Sequence, residues 1–152
     1  MPDQQSLLNP PAKISGLVLC FDYGSKRIGV AVGQPITGTA TPQPLLQCQD
    51  DEPPWQEIKQ LIKKWSPKVL LVGIPFDMDH QVTEMTNRAL GFAKELQQRF
   101  QLPVYGSDEK LTSFLAEQSL IEQGLDPVKH KRSVDSIAAK IILETWMRRY
   151  GE

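Results

Sequence analysis

Acids in three segments carry the chemistry this sequence offers. Asp22 closes an apolar run, VLCFD at 18–22; Asp108 and Glu109 follow the run LPVYG at 102–106; Asp135 lies within SVDSIAAKIILETW at 133–146. A carboxylate at the end of a dry strand is costly if it is desolvated without a partner. An ion pair from Asp22 to Lys26 or Arg27 would meet that cost, and so would a cation shared with the other acids. Residues three, four and seven beyond Asp135 are Ala138, Ala139 and Ile142. That pattern turns Asp135 toward a sheet, although an acid opening a helix also complements the helix dipole. Asp108 and Glu109 are adjacent, so on a strand continuation they point to opposite faces and only one can meet Asp22. Spacing does not decide which. Hard oxygen donors with no His or Cys cluster suit Mg²⁺ or Mn²⁺ rather than zinc. Two such ions about 3.5–4 Å apart can clamp the attacking and leaving oxygens of a phosphodiester. The chemistry implied is metal-assisted hydrolysis of a nucleic-acid backbone.

A phosphodiester needs more than acids, and the neighbouring residues supply it. Gly24 lets a phosphate approach the backbone, and Ser25 and Lys26 add a hydroxyl and a positive charge. Lys110 stands beside Glu109. Lys129, Lys131 and Arg132 belong to KHKR at 129–132, a basic run that can hold a strand and steer it to the acids. His80 and His130 are too far apart to form a motif; His80 reads as a solvated loop residue.

These residues are set by a legible order of elements. Leu17–Phe21 and Ile28–Val32 read as two strands joined by a tight Gly-containing turn. A weaker third strand, Gly38–Thr41, ends at the Pro42 and Pro44 interruptions. Short connections make these three an antiparallel meander. Trp55, Ile58, Leu61, Ile62 and Trp65 recur at helical spacing and stop at Ser66-Pro67. VLLVGI at 69–74 is apolar on both faces, as an interior parallel strand should be. A second helix carries Met85, Ala89, Phe92, Ala93, Leu96 and Phe100; residues 102–106 form a further strand; two helices cover roughly 113–123 and 133–149. The result is an α/β fold with one mixed sheet and helices packed on its faces. If the strand at 102–106 runs parallel to the first and beside it, their carboxyl ends share the crevice where open α/β sheets bind ligands.

Composition bounds the alternatives. A chain of 152 residues, 40% apolar and 23% charged, suits one globular domain able to bury a core without staples. We divide it into a loose N-terminal tail, 1–16, and one domain, 17–150. Two cysteines, Cys20 and Cys48, have no zinc spacing and fit a reduced, cytoplasmic setting. No stretch reads as a membrane span. The net charge of −1 argues against broad charge-driven nucleic-acid binding but leaves room for a local basic patch.

Four segments, FDYGSKRIGVAVGQPITGTATP, LLVGIPFDMD, SDEKLTS and VDSIAAKIILE, together resemble the YqgF/RuvX family, described both as Holliday junction resolvases and as pre-16S rRNA nucleases. The resemblance spans about residues 17–148. It implies an RNase H-like fold similar to the RuvC resolvases. It assigns catalytic, metal-binding roles to Asp22, Glu109 and Asp135, and leaves Asp108 the weaker candidate. The family's usual Arg after the Asp-Glu pair is Lys110 here, which keeps the charge and loses the bidentate fork. A cytoplasmic nuclease maturing the 5′ end of 16S rRNA is implied, using Mg²⁺ or Mn²⁺, two ions with substrate bound, as a monomer or homodimer. A resolvase of four-way DNA would need two symmetry-related sites, hence a dimer. A binding module without turnover is the reading from another class. An actin-like ATPase would need a second lobe for which the chain has no room.

Overall fold

The strand that ends in Asp22 lies at the centre of the sheet. In the computed structural model, which describes residues 13–77, 79–109 and 112–151, the elements are β1 (Val18–Asp22), β2 (Arg27–Gln34), β3 (Thr39–Gln47), α1 (Trp55–Trp65), β4 (Val69–Ile74), α2 (Glu84–Phe100), β5 (Val104–Asp108), α3 (Thr112–Glu122) and α4 (Lys131–Tyr150). The five strands stand in the order β3-β2-β1-β4-β5. The meander is antiparallel; β4 and β5 join parallel to β1.

Alternation along each strand divides the core. Leu19, Phe21, Ile28, Val30, Leu70, Val72 and Ile74 face one side and pack with Ile58 of α1 and Ala89, Phe92, Ala93 and Leu96 of α2. Val18, Cys20, Ala31, Val69 and Leu71 face the other and pack with Ala139, Ile142, Leu143, Trp146 and Met147 of α4. β4 is buried along its whole length, which is why it carries no polar alternation. α1 ends where Ser66 turns left-handed and its N–H donates to Ile62 O. α2 opens with a reciprocal cap between Thr83 and Thr86.

Three expectations need correction. β3 does not end at Pro42; it runs through Pro42 and Pro44 to Gln47. It is an outer strand, where a missing N–H is tolerated. β5 is not beside β1, because β4 lies between them. α4 begins at Lys131, so Asp135 sits in its second turn and is not a helix-opening acid. Of the segment read as a tail, residues 13–16 are described. Ile14 there is buried, its N–H donates to Tyr150 O at 2.8 Å, and it bridges to Gly151. Among the described residues, no helix is long and apolar enough to cross a membrane.

Candidate active site

Two glycines make room for the acids. Asp22 pairs in register with Gly29 on β2 and with Gly73 on β4, so all three share the face turned to α4. A Cβ on Gly73 would fall 2.9 Å from Glu109 Oε2 and 2.7 Å from Ile142 Cδ1. A Cβ on Gly29 would fall 2.3 Å from the backbone oxygen of Asp135 and 3.5 Å from Asp22 Cβ. Glu109 therefore reaches Asp22 across the bare backbone of β4, and the second turn of α4 rests on the bare backbone of β2. Asp22 lies between them. A glycine inside a strand marks such an approach, and Gly29 and Gly73 are the sequence signal of this one.

Glu109, not Asp108, is the inward acid. Its N–H donates to Ile74 O at 3.2 Å, which extends the β4–β5 ladder by one residue. Its carboxyl shares a hydrogen bond with Asp22. Asp108 leaves on the opposite side and meets His80, with Nδ1 to Oδ2 at 3.2 Å. His80 is exposed as read, but it also stacks on Phe76, with centroids 4.6 Å apart.

The acids perturb one another. Burial pushes Asp22 up to about 6; the hydrogen bond from Glu109 restrains the rise and the charge of Asp135 adds to it. Burial raises Glu109 further, to about 10, and the charge and hydrogen bond of Asp22 and the charge of Asp108 reinforce this. Near neutrality the pair therefore retains a proton, shared across the Asp22–Glu109 hydrogen bond. Cys20, buried beneath them, is held protonated first by burial and then by the negative charge of the acidic pair.

Asp135 is close enough for its charge to act on Asp22, yet its carboxylate is engaged elsewhere. Arg27 Nε donates to Asp135 Oδ2 at 2.9 Å. The ion pair considered for Asp22 is thus made by Asp135, and Arg27 is a site residue that sequence reading did not place there. Among the described residues, no group of three or more His, Cys, Asp and Glu side chains is gathered tightly enough to hold a metal ion. Asp22 and Glu109 meet; Asp135 stands one partner away.

The proposed phosphate-binding residues divide. In the β1–β2 turn, a Cβ on Gly24 would fall 2.6 Å from Arg27 O, so the turn itself requires this glycine. Lys26 is exposed, and its carbonyl accepts from Cys48 N–H at 2.9 Å. Ser25 is half-buried beside it. Lys131 and Arg132 belong to the first turn of α4, while Lys129 precedes it. Lys131 lines a cavity of about 390 Å³ together with Arg27 and Asp135. Arg132 points the other way and donates to Gln47 Oε1 at 3.3 Å. Lys110 lies outside the described residues.

A mixed sheet in this strand order, with acids at the carboxyl ends of parallel strands, defines the RNase H-like class to which the RuvC resolvases belong. The T. thermophilus RuvC bound to a Holliday junction substrate superposes with a TM-score of 0.52 at 15% identity, over 88% of this chain and 94% of that one. The yeast mitochondrial Holliday junction resolvase Ydc2 gives 0.52 at 12% identity, over 95% and 83%. At these identities the likeness establishes the fold.

Sequence carries the assignment further. The family described as "RuvX: Holliday junction resolvase" matches residues 16–149, and the chain belongs to this family of nucleases. It is 47% identical over 132 residues to a Coxiella burnetii protein, covering 87% of this chain and 92% of that one. It is 45% identical over 131 residues to one from Azotobacter vinelandii, covering 86% and 92%. Both carry the name "Putative pre-16S rRNA nuclease".

Proposed function

We propose that this protein is a cytoplasmic, divalent-metal-dependent endonuclease that cleaves structured RNA, with the 5′ extension of pre-16S rRNA as its substrate. One observation carries the reading. Asp22 and Glu109 are brought into hydrogen-bond contact in a buried site, across a glycine, where only a proton now relieves their repulsion. A fold does not maintain such a pair for stability, since an apolar pair would cost less. The relatives' name supports the choice of RNA.

The donor set fits Mg²⁺ or Mn²⁺: carboxylate oxygens, with no His or Cys gathered on the pair among the described residues other than the buried thiol of Cys20. Asp22 and Glu109 would hold the ion and Asp135 would complete the set. A bound divalent ion supplies positive charge to the phosphate and lowers the pKa of an attacking water. The protein's own residues do the rest. The sheet and α4 wall the acids from bulk water on one side. Lys131, Lys129 and Arg132 supply positive charge at the start of α4, where cations oppose the helix dipole and an anion compensates them. Lys26 adds charge on the turn side of the crevice, and Lys110, next to Glu109 in the sequence, is a further phosphate-binding candidate.

The family description favours a second substrate, the four-way DNA junction, which requires a homodimer presenting two sites. Incubating the protein and Mn²⁺ with a 5′-extended 16S precursor fragment, and separately with a synthetic junction, decides between them when combined with light scattering. Cleavage of the RNA by a monomer supports the proposal. Symmetric cleavage of the junction alone, by a dimer, replaces it. RNA binding with no cleavage under any divalent ion reduces the protein to a binding module.

A further inference from the structure

The third acid is held by a basic side chain that a nucleic acid would itself attract. Arg27 and Asp135 form a half-exposed ion pair, with side chains 29% and 32% accessible, on the wall of the cavity that also contains Lys131. An anion in that cavity reaches the guanidinium without moving the fold. Pairs as exposed as this one are weakly held. A phosphodiester is tetrahedral at phosphorus, but its two non-bridging oxygens offer Arg a bidentate partner as a carboxylate does. Glu117, also on the cavity wall, repels an anion, and Lys131 offsets it.

The seat of Asp135 makes an exchange of partners cheap. Its backbone rests on Gly29, with the oxygen 2.3 Å from where a Cβ would lie, so α4 cannot move closer to β2 at this point. The Asp135 side chain can turn without moving the helix. Its charge already acts on Asp22.

We propose that Arg27 is a substrate-operated latch. Without RNA, its guanidinium keeps the Asp135 carboxylate out of the acidic site. When a phosphodiester of the RNA backbone takes Arg27, Asp135 is released to join Asp22 and Glu109, and the cation set is completed only on substrate. Arg27 is a positioning residue that acts through Asp135. The inference rests on reading Asp22 and Glu109 as cation-holding groups. By linkage, RNA and cation then strengthen each other's binding by the same factor.

The test reads binding, not turnover. Mn²⁺ affinity of the RNA-free protein is measured by electron paramagnetic resonance for wild type, Arg27→Gln, Asp135→Asn and the double variant, each checked for its fold by circular dichroism. Arg27→Gln is expected to bind Mn²⁺ about tenfold tighter than wild type, near 1.4 kcal/mol. The double variant is expected to lose that gain. Arg27→Lys, which keeps the charge but not the fork, is expected to fall between. A gain that persists in the double variant would mean that only a positive charge had been removed, and would overturn the latch. So would an Arg27→Gln affinity no higher than wild type. In the second arm, RNA binding is measured in chelator. Loss of Arg27 should flatten the salt dependence of single-stranded RNA binding by about 0.7, one phosphate contact. An unchanged slope would overturn operation by substrate. Cleavage of precursor RNA by the wild type tests the nuclease reading separately and survives either failure.

Discussion

Glu109 lies over Gly73: a methyl group added to that glycine would come within 2.9 Å of the glutamate Oε2 and 2.7 Å of Ile142 Cδ1. The acid from the outer strand β5 reaches the central strand only because the intervening strand has no side chain at that register.

Gly73→Ala should therefore separate the acids. Both atoms it meets are ends of flexible side chains, so the fold should survive with a loss of about 1–3 kcal/mol, while Mn²⁺ binding and cleavage fall sharply. Gly29→Ala should be worse for folding, because the atom it meets is the backbone of α4 at Asp135. Denaturant melts of the two variants, beside Mn²⁺ titrations, test this ordering. Equal stabilities would mean that α4 is not seated on Gly29.

Asp22→Asn should abolish cleavage, by at least about 100-fold, and leave the fold intact. It replaces a desolvated carboxylate by a neutral amide, so the metal-free variant should melt at or above the wild-type temperature near neutral pH. Calorimetry beside a cleavage assay checks both. Activity retained within a few-fold of wild type would remove Asp22 from the catalytic set.

Stability should depend on pH in an unusual direction. Both acids are raised in the folded state, to about 6 for Asp22 and about 10 for Glu109, so the folded protein binds these protons more tightly than the unfolded chain does. Their stabilising contribution is complete below the ordinary carboxylate range, about pH 4, and is lost as pH rises through 6 and on toward 10. In chelator, wild type should lose more stability than Asp22→Asn between pH 5 and pH 8, about the span in which Asp22 ionises. Mn²⁺ should restore it at the upper end. Parallel pH curves for the two proteins would contradict the coupling.

The basic run should not act as a unit. Arg132 is engaged with Gln47, whereas Lys131 lines the cavity beside Arg27 and Asp135. Lys131→Ala should weaken RNA binding and flatten its salt dependence by about 0.7; Arg132→Ala should do less. Filter binding across a salt series separates them, and the reverse order would move the binding face toward β3.

Much of this was legible before any coordinates. An all-apolar VLLVGI reads as an interior strand, the spacing from Trp55 to Trp65 reads as a helix face, and Asp22 stood out as a charge at the end of a dry strand. What escaped had physical reasons. The start of α4 was hidden because His130 makes no side-chain cap and the first turn carries cations where acids are the usual signal. β3 was cut short because proline reads as a stop unless the strand is known to be outermost. Glu109 could not be told from Asp108 by spacing, since the choice depends on how far the β4–β5 ladder continues past Ile74. The partner of Arg27 was missed because it lies 108 residues away, in an element whose register on the sheet is fixed by Gly29.

The two prolines of β3 also bear on how these molecules meet one another. At one margin of the sheet, Pro42 and Pro44 deprive an incoming chain of amide donors. The opposite margin, Val104–Asp108, contains no proline. Polymerisation by templated pairing is thereby discouraged on the meander side, and a segment recruited as a sixth strand would join at β5, alongside the strand that leads into Glu109.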